Sequence, residues 1–232
     1  MIKNTSLFSW FCLIFIKPII NHFFIKEIRG WENIPQPGKN PDYPQGNFIL
    51  AANHQSHLDW ISSGRLCVPR QFHFIGQTDA YTGTNRIFRD FLYYLAGVIR
   101  LDRKSDESKK KATAQAIDIL KKGKILILYP EGTRTRTGEI GKGKWGTAKF
   151  FLTTGVPILP VAFHGAFELL PPGGKLKIKK EMKINVGKPL YFKEELAKAK
   201  TLDQSSSEYK ELLIKIMDTL METIKSLKTE IS

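Results

Sequence analysis

The sequence predicts an α/β protein, a single mixed-sheet domain with helices on both faces, preceded by an N-terminal membrane-interfacial helical segment. Three observations carry this expectation. Short apolar runs bounded by Gly, Pro or charge, such as "NFILAA", "KILILYP" and "VPILPVAF", have the composition of strands buried on both faces. Stretches of helical period alternate with them along the chain, the pattern that builds a sheet with helices packed over it. The opening stretch "LFSWFCLIFIKPIINHFFI" (7–25) is dense in aromatics and stands apart from everything that follows.

In order, that opening stretch falls short of a spanning helix, which needs about 20 uninterrupted apolar residues. Lys17, Pro18, Asn21 and His22 break it at its centre. No small-residue cleavage site follows, so a secretory signal is not expected. Two short helical pieces hinged at Pro18, lying in one leaflet with Trp10 and the phenylalanines at the headgroup boundary, fit the residues better. We therefore divide the chain into an anchor over residues 1–28 and a folded domain over 29–232.

From Arg29 the chain turns soluble, and "RGWENIPQPGKNPDYPQG" reads as a strand fragment followed by a long loop. "NFILAA" (47–52) is a buried strand, 54–67 a helix, "QFHFIG" (71–76) a strand, "RIFRDFLYYLAG" (86–97) a helix ended by Gly97, and "VIRL" (98–101) a strand. Residues 105–123 form a helix with acidic residues in its first turn, lysines in its last and Gly123 as its stop. "KILILYP" (124–130) is the clearest strand; 145–155 is helical, and 156–163 is another strand. "KLKIKKEMKINVG" (175–187) alternates apolar and basic residues, as a half-exposed edge strand or hairpin would. From Ser207 to Lys228, Leu213, Ile216, Leu220, Ile224 and Leu227 recur on one face of a long helix.

With 36 basic against 22 acidic residues the formal charge is +14, which favours anionic partners. Joined to an apolar anchor, this charge points to lipid headgroups, and no nucleic-acid partner is expected. Cys12 and Cys67 form neither a disulfide framework nor a CxxC zinc pair. Between residues 100 and 150 there are 14 Lys plus Arg and 6 Asp plus Glu, so more than half of the net charge lies there.

Active sites of such sheets gather in loops beyond strand ends, which directs attention to 53–59, 100–104 and 130–144. In "NHQSHLD", His54, His57 and Asp59 suit a metal site, an acid–base pair or a polar helix start. The dense HxHxDH pattern of metallo-hydrolases is missing and His22, His73 and His164 are isolated in sequence, so no metal is expected. As a pair, a neutral His54 oriented by Asp59 is a competent general base near neutral pH. "GEIGKGKW" satisfies the start of a phosphate-binding P-loop, yet Trp145 stands where Ser or Thr must hold magnesium, so NTPase chemistry is excluded. The arginines of "GVIRLDR" and "YPEGTRTR" instead offer forks for phosphate.

Taken together, the loops resemble the glycerolipid acyltransferases of the lysophosphatidate (1-acylglycerol-3-phosphate) type. N-H-x-S-x-x-D is matched by Asn53, His54, Ser56 and Asp59; P-E-G-T-R by Pro130, Glu131, Gly132, Thr133 and Arg134; V-P-I-x-P-V by Val156, Pro157, Ile158, Pro160 and Val161. G-x-x-F-I-x-R keeps Gly97 and Arg103 but has Arg100 and Leu101 in place of Phe and Ile. The resemblance implies transfer of an acyl group from a thioester to a lysophosphatidate-like hydroxyl, with His54 as base and Asp59 orienting it. It also implies that Arg103 and Arg134 hold the acceptor phosphate, with Glu131, Gly132 and Thr133 shaping that pocket. No cofactor is implied; acyl-CoA or acyl carrier protein serves as co-substrate, and membrane lipids are the partners. The expected place is the cytoplasmic face of the inner membrane, on one leaflet. Other acceptors (glycerol 3-phosphate, another lysophospholipid, a lyso-aminolipid) fit the same blocks, and a non-catalytic basic membrane-docking protein is the rival outside the class.

Overall fold

A computed structural model describes residues 6–78, 87, 90, 93, 94 and 96–232. Among these, seven strands form one sheet: β1 (Ile25–Arg29), β2 (Ile49–Ala52), β3 (Phe72–Gln77), β4 (Ile99–Leu101), β5 (Ile125–Leu128), β6 (Ile158–His164) and β7 (Met182–Val186). The order is β1-β7-β6-β2-β5-β3-β4. From β6 to β4 all neighbours are parallel; β7 is antiparallel to β6, and β1 is parallel to β7. The mixed sheet expected from sequence is therefore present, with its reversal at the β6–β7 junction.

Parallel strands are covered on both sides, and the alternation of side chains assigns each residue a layer. Leu50, Ala52, Ile125 and Ile127 face one layer, while Ile49, Ala51, Leu126 and Leu128 face the other. The first layer is built by helices α1 (Ser6–Phe11), α2 (Lys17–Phe23) and α3 (Leu58–Cys67). The second holds α4 (Asp106–Lys121), α5 (Gly146–Thr154) and, C-terminal to the strands, α8 (Ser207–Thr229). Two short helices, α6 (Ala166–Leu169) and α7 (Lys193–Ala199), complete the list and were not legible from periodicity, being under two turns each.

The long helices end where their sequences direct. The Ser105 hydroxyl accepts the Ser108 N–H at 3.1 Å to open α4, and Ser206 does the same for Tyr209 at the start of α8. Leu213, Ile216, Leu220 and Ile224 of α8 are buried, each contributing about 1.5–3 kcal/mol by leaving water. Three boundaries differ from expectation. The helix placed at 54–67 begins only at Leu58, because Asn53–His57 is held open as a loop. Strand β1 begins at Ile25, buried and paired with Met182, so the sheet takes in residues 25–28 that the sequence assigned to the anchor. The stretch 175–187 is not an edge strand: 175–181 carries no strand, and β7 lies between β1 and β6 with Met182, Ile184 and Val186 buried. The alternating pattern merges two segments of different exposure. The helix expected at 86–97 falls mostly outside the described residues.

In the N-terminal segment, α1 and α2 are joined by a π-helical turn (Cys12–Ile16), and Pro18 falls in the first turn of α2. Phe8, Leu13, Ile16 and Ile20 pack on the core, while Leu7, Trp10, Phe11, Ile14, Phe15, Ile19 and Phe23 remain exposed on the other side. The segment is fastened to α3 by Arg65, whose Nε donates to Asn21 Oδ1 at 2.8 Å and whose guanidinium lies over the Trp31 ring. Among the described residues no helix is long and apolar enough to cross a membrane.

Candidate active site

The sheet register brings the first and third loops together. Strands β2 and β5 pair Ala51 with Leu128, so His54 emerges beside Glu131, and β2 and β6 pair Ala52 with Val161, so Asn53 emerges beside Phe163. Asn53 uses this position fully. Its Oδ1 accepts the Phe163 N–H at 2.7 Å, and its Nδ2 donates to the Phe163 carbonyl at 2.9 Å. The side chain continues the β2–β6 ladder by one rung and keeps the loop from entering α3 early.

His54 is then fixed from four directions. Its Nδ1 lies 2.9 Å from Asp59 Oδ2, its backbone N–H donates to Glu131 Oε1 at 2.7 Å, and its carbonyl accepts the Thr135 N–H at 2.8 Å. Its ring stacks on Tyr129, 4.0 Å between centroids and 11° from parallel. Tyr129 is held in turn by a 3.1 Å bond between its hydroxyl and Ser63 Oγ on α3. Asp59 is fully buried, and its Oδ2 also accepts the N–H groups of Gln55 and Ser56 at 2.6 and 2.7 Å. Burial pushes its carboxyl above the ordinary aspartate value, against the opposing pull of the His54 bond and the two backbone donors. An ionised Asp59 makes Nδ1 the protonated nitrogen of His54 and leaves Nε2 with the lone pair. Ser56 ties the loop outward: its hydroxyl donates to the Leu170 carbonyl and accepts the Leu58 N–H.

The P-E-G-T-R turn is shaped by Gly132, whose φ of 70° is the left-handed conformation that glycine adopts freely; its N–H donates to the Tyr129 carbonyl at 2.9 Å. Glu131 points inward. Its two oxygens accept the N–H groups of His54 and Gly141, so it clamps the His54 loop to the glycine-rich stretch 138–144. Burial raises its carboxyl above the usual glutamate range, opposed by those two bonds. Arg103 is exposed and donates to the Gly132 carbonyl at 2.5 Å, which brings the second loop to the third. Arg134 carries a buried Nη1 with no hydrogen-bond partner among the described residues.

These groups surround a cavity of about 520 Å³, within the roughly 300–1,000 Å³ usual for small-molecule sites. His54, His57, Arg103, Thr133, Arg134 and Lys144 make its polar side; Trp60, Phe74, Leu101, Ile127, Leu128 and Phe150 make its apolar side. His57 lines the mouth and is biased neutral by partial burial and then by Arg134 nearby. His54, Arg103, Gly132, Thr133 and Arg134 thus meet in one pocket; Asp59 and Glu131 stand behind it, touching His54 rather than the cavity. The sequence reading missed Tyr129 and counted Lys144 among the cations of the third loop without giving it a place in the site. Tyr129 had a signal, because it directly precedes P-E-G-T-R at the end of the clearest strand. The remaining histidines lie elsewhere: His73 is a core residue bonded to the Gly97 carbonyl at 2.8 Å, with burial lowering its pKa to about 4.

Known proteins resemble this chain in sequence and in fold. A 1-acyl-sn-glycerol-3-phosphate acyltransferase of Bacillus subtilis is 26% identical over 95% of this chain and 97% of its own length. A chloroplastic enzyme of the same name from Brassica napus is 27% identical over 73% of this chain and 46% of the relative, and one from Arabidopsis thaliana is 29% identical over 66% and 40%. The chain thus spans less than half the length of these chloroplast relatives. The fold is that of the 1-acyl-sn-glycerophosphate (LPA) acyltransferase PlsC of Thermotoga maritima, with TM-score 0.65 over 95% of this chain and 80% of that one at 24% identity. The sequence model of the acyltransferase family matches residues 26–164, more than half of the chain, from β1 through the last residue of β6. The chain therefore belongs to the acyltransferase family.

Proposed function

We propose that this protein moves a fatty acyl group from an acyl thioester, of coenzyme A or of acyl carrier protein, to the free hydroxyl of lysophosphatidate, giving phosphatidate. The observation that carries the reading is the His54–Asp59 pair, 2.9 Å apart, at the rim of a cavity whose polar side also holds Arg103 and Arg134. His54 Nε2 takes the acceptor hydroxyl proton as its oxygen attacks the thioester carbonyl. The resulting tetrahedral centre collapses, the carbon–sulfur bond breaks, and the leaving thiolate recovers the proton from His54. Asp59 keeps the Nδ1 proton in place and balances the imidazolium that forms between these events. A thioester is already activated, so no covalent acyl-enzyme and no cofactor are required. The partnerless Nη1 of Arg134 and the exposed fork of Arg103 take the acceptor phosphate. The apolar side of the cavity suits an acyl chain.

The same reading seats the protein on the cytoplasmic face of the inner membrane, on one leaflet. The exposed apolar side of α1 and α2, from Leu7 to Phe23, is the surface that would lie in the headgroup boundary. The test is turnover of lysophosphatidate by His54→Ala, with thermal unfolding measured in parallel. Loss of roughly 10²–10⁴-fold at unchanged stability is expected. A folded His54→Ala variant with near-normal turnover would remove the base from the mechanism. A lyso-acceptor without a phosphate monoester that outcompetes lysophosphatidate would remove the acceptor.

A further inference from the structure

Between α6 and β7 the chain passes through "PPGGKLKIKKE" (171–181) with no strand partner, and every residue from Gly173 to Glu181 is exposed. Lys175, Lys177, Lys179 and Lys180 alternate there with Leu176 and Ile178, which are 48% and 66% exposed. Among the described residues Glu181 alone is paired with them, 3.7 Å from Lys179. Hydrophobic side chains left in water between lysines contribute nothing visible to this fold.

The position of the strap gives it a use. At its far end, the Met182 N–H donates to the Phe24 carbonyl at 2.9 Å, so the strap finishes beside the end of α2 and its exposed apolar side. At its near end, the Leu170 carbonyl holds Ser56 of the His54 loop, and the Leu169 carbonyl accepts the Lys177 N–H at 2.8 Å. The antiparallel β6–β7 junction places the start of β7 at the same edge of the sheet as the ends of β2, β5 and β6. Basic strap, apolar helical side and cavity mouth therefore share one edge.

We propose that residues 175–180 are a second docking element that engages anionic lipid headgroups, with Leu176 and Ile178 entering the interface and the four lysines meeting its charge. The inference rests on the membrane-seated reading given above. An acidic protein surface would also attract the lysines. It would leave Leu176 and Ile178 without a role, however, and it would not require continuity with the apolar side of α1 and α2.

The test uses the full chain with Lys175, Lys177, Lys179 and Lys180 all changed to Gln, and a second variant, Leu176→Ser with Ile178→Ser. Sedimentation is measured with phosphatidylcholine vesicles and with vesicles containing phosphatidylglycerol, at low and physiological salt. Each lysine near an anionic surface is worth roughly fivefold in partitioning. The fourfold variant should lose on the order of 10²–10³-fold of its binding to anionic vesicles while keeping its binding to neutral ones and its turnover of detergent-dispersed lysophosphatidate. The double Ser variant should weaken anionic binding without changing its salt dependence. Retained preference for anionic vesicles, or equal loss on both vesicle types, overturns the proposal. So does a variant that keeps vesicle binding but no longer captures acidic acyl carrier protein. If the unaltered protein binds neither vesicle, the membrane reading itself falls, an outcome distinct from a strap that is idle on a protein that does bind.

Discussion

Glu131 separates two roles that sequence blocks alone cannot tell apart: contact with the acceptor, or support of the His54 loop. In the structure it is 6% exposed, and its oxygens accept the His54 N–H at 2.7 Å and the Gly141 N–H at 2.8 Å. Replacing it with Gln keeps the shape but converts one oxygen into an NH₂ group that faces a backbone donor. One hydrogen bond to a charged group, worth about 1.5–3 kcal/mol, is lost, and a buried donor is left unsatisfied at about 1–3 kcal/mol. Removing a carboxylate that burial already disfavours returns part of this, so a net loss of about 2–4 kcal/mol is expected. For a chain of this size each kcal/mol lowers Tm by roughly 2–4 °C, giving a fall of about 5–15 °C by calorimetry. Loosening the His54 loop by about 1 Å should lower kcat by roughly 10²-fold, while the acceptor KM changes by less than about threefold. An unchanged Tm together with an acceptor KM raised tenfold or more would refute the supporting role and place Glu131 against the substrate.

Asp59→Asn should lower kcat by about 10⁴-fold with little loss of stability at neutral pH, because Asn retains the acceptor at the Oδ2 position. The sign of its pH dependence follows from the raised carboxyl of the native protein: the ionised group disfavours the fold above its folded pKa, and that disadvantage vanishes below the ordinary value of 3.8. The Tm of the native protein should thus gain on that of Asp59→Asn as pH falls from 7 towards 4; a gap that widens the other way contradicts the burial argument. Arg134→Ala should raise the acceptor KM roughly 10–10²-fold through loss of a charge-assisted contact, with Lys restoring only part; an effect confined to the acyl donor would reassign Arg134. Trp10, Phe11 and Phe15 are 52%, 48% and 54% exposed, so changing all three to Ser should leave Tm nearly unaltered. Partitioning onto neutral vesicles should fall by about 10²-fold, from about 1 kcal/mol of apolar transfer lost at each position, and unchanged partitioning would detach this face from the membrane.

The sequence by itself determined the elements whose signals are local. The run "KILILYP" becomes β5, the acidic first turn and Gly123 bound α4, and the face Leu213–Ile216–Leu220–Ile224 is the buried side of α8. Each is a statement about a segment's own exposure, and periodicity records exposure directly. The blocks around His54 and Glu131 were equally legible as residues. Tertiary structure decided what those residues touch. The His54 N–H meets Glu131 across 77 positions, Asn53 bonds Phe163 across 110, and Tyr129 lies under the imidazole because β2 and β5 are neighbours in register. The same held for "KLKIKKEMKINVG", whose alternation concealed an exposed strap and an internal strand, since only the placement of β1 outside β7 buries the second half. Strand order and register are settled by packing between segments far apart in the chain. No stretch read alone carries the identity of its neighbours, and in this protein those neighbours fix His54 between Asp59, Glu131 and Tyr129.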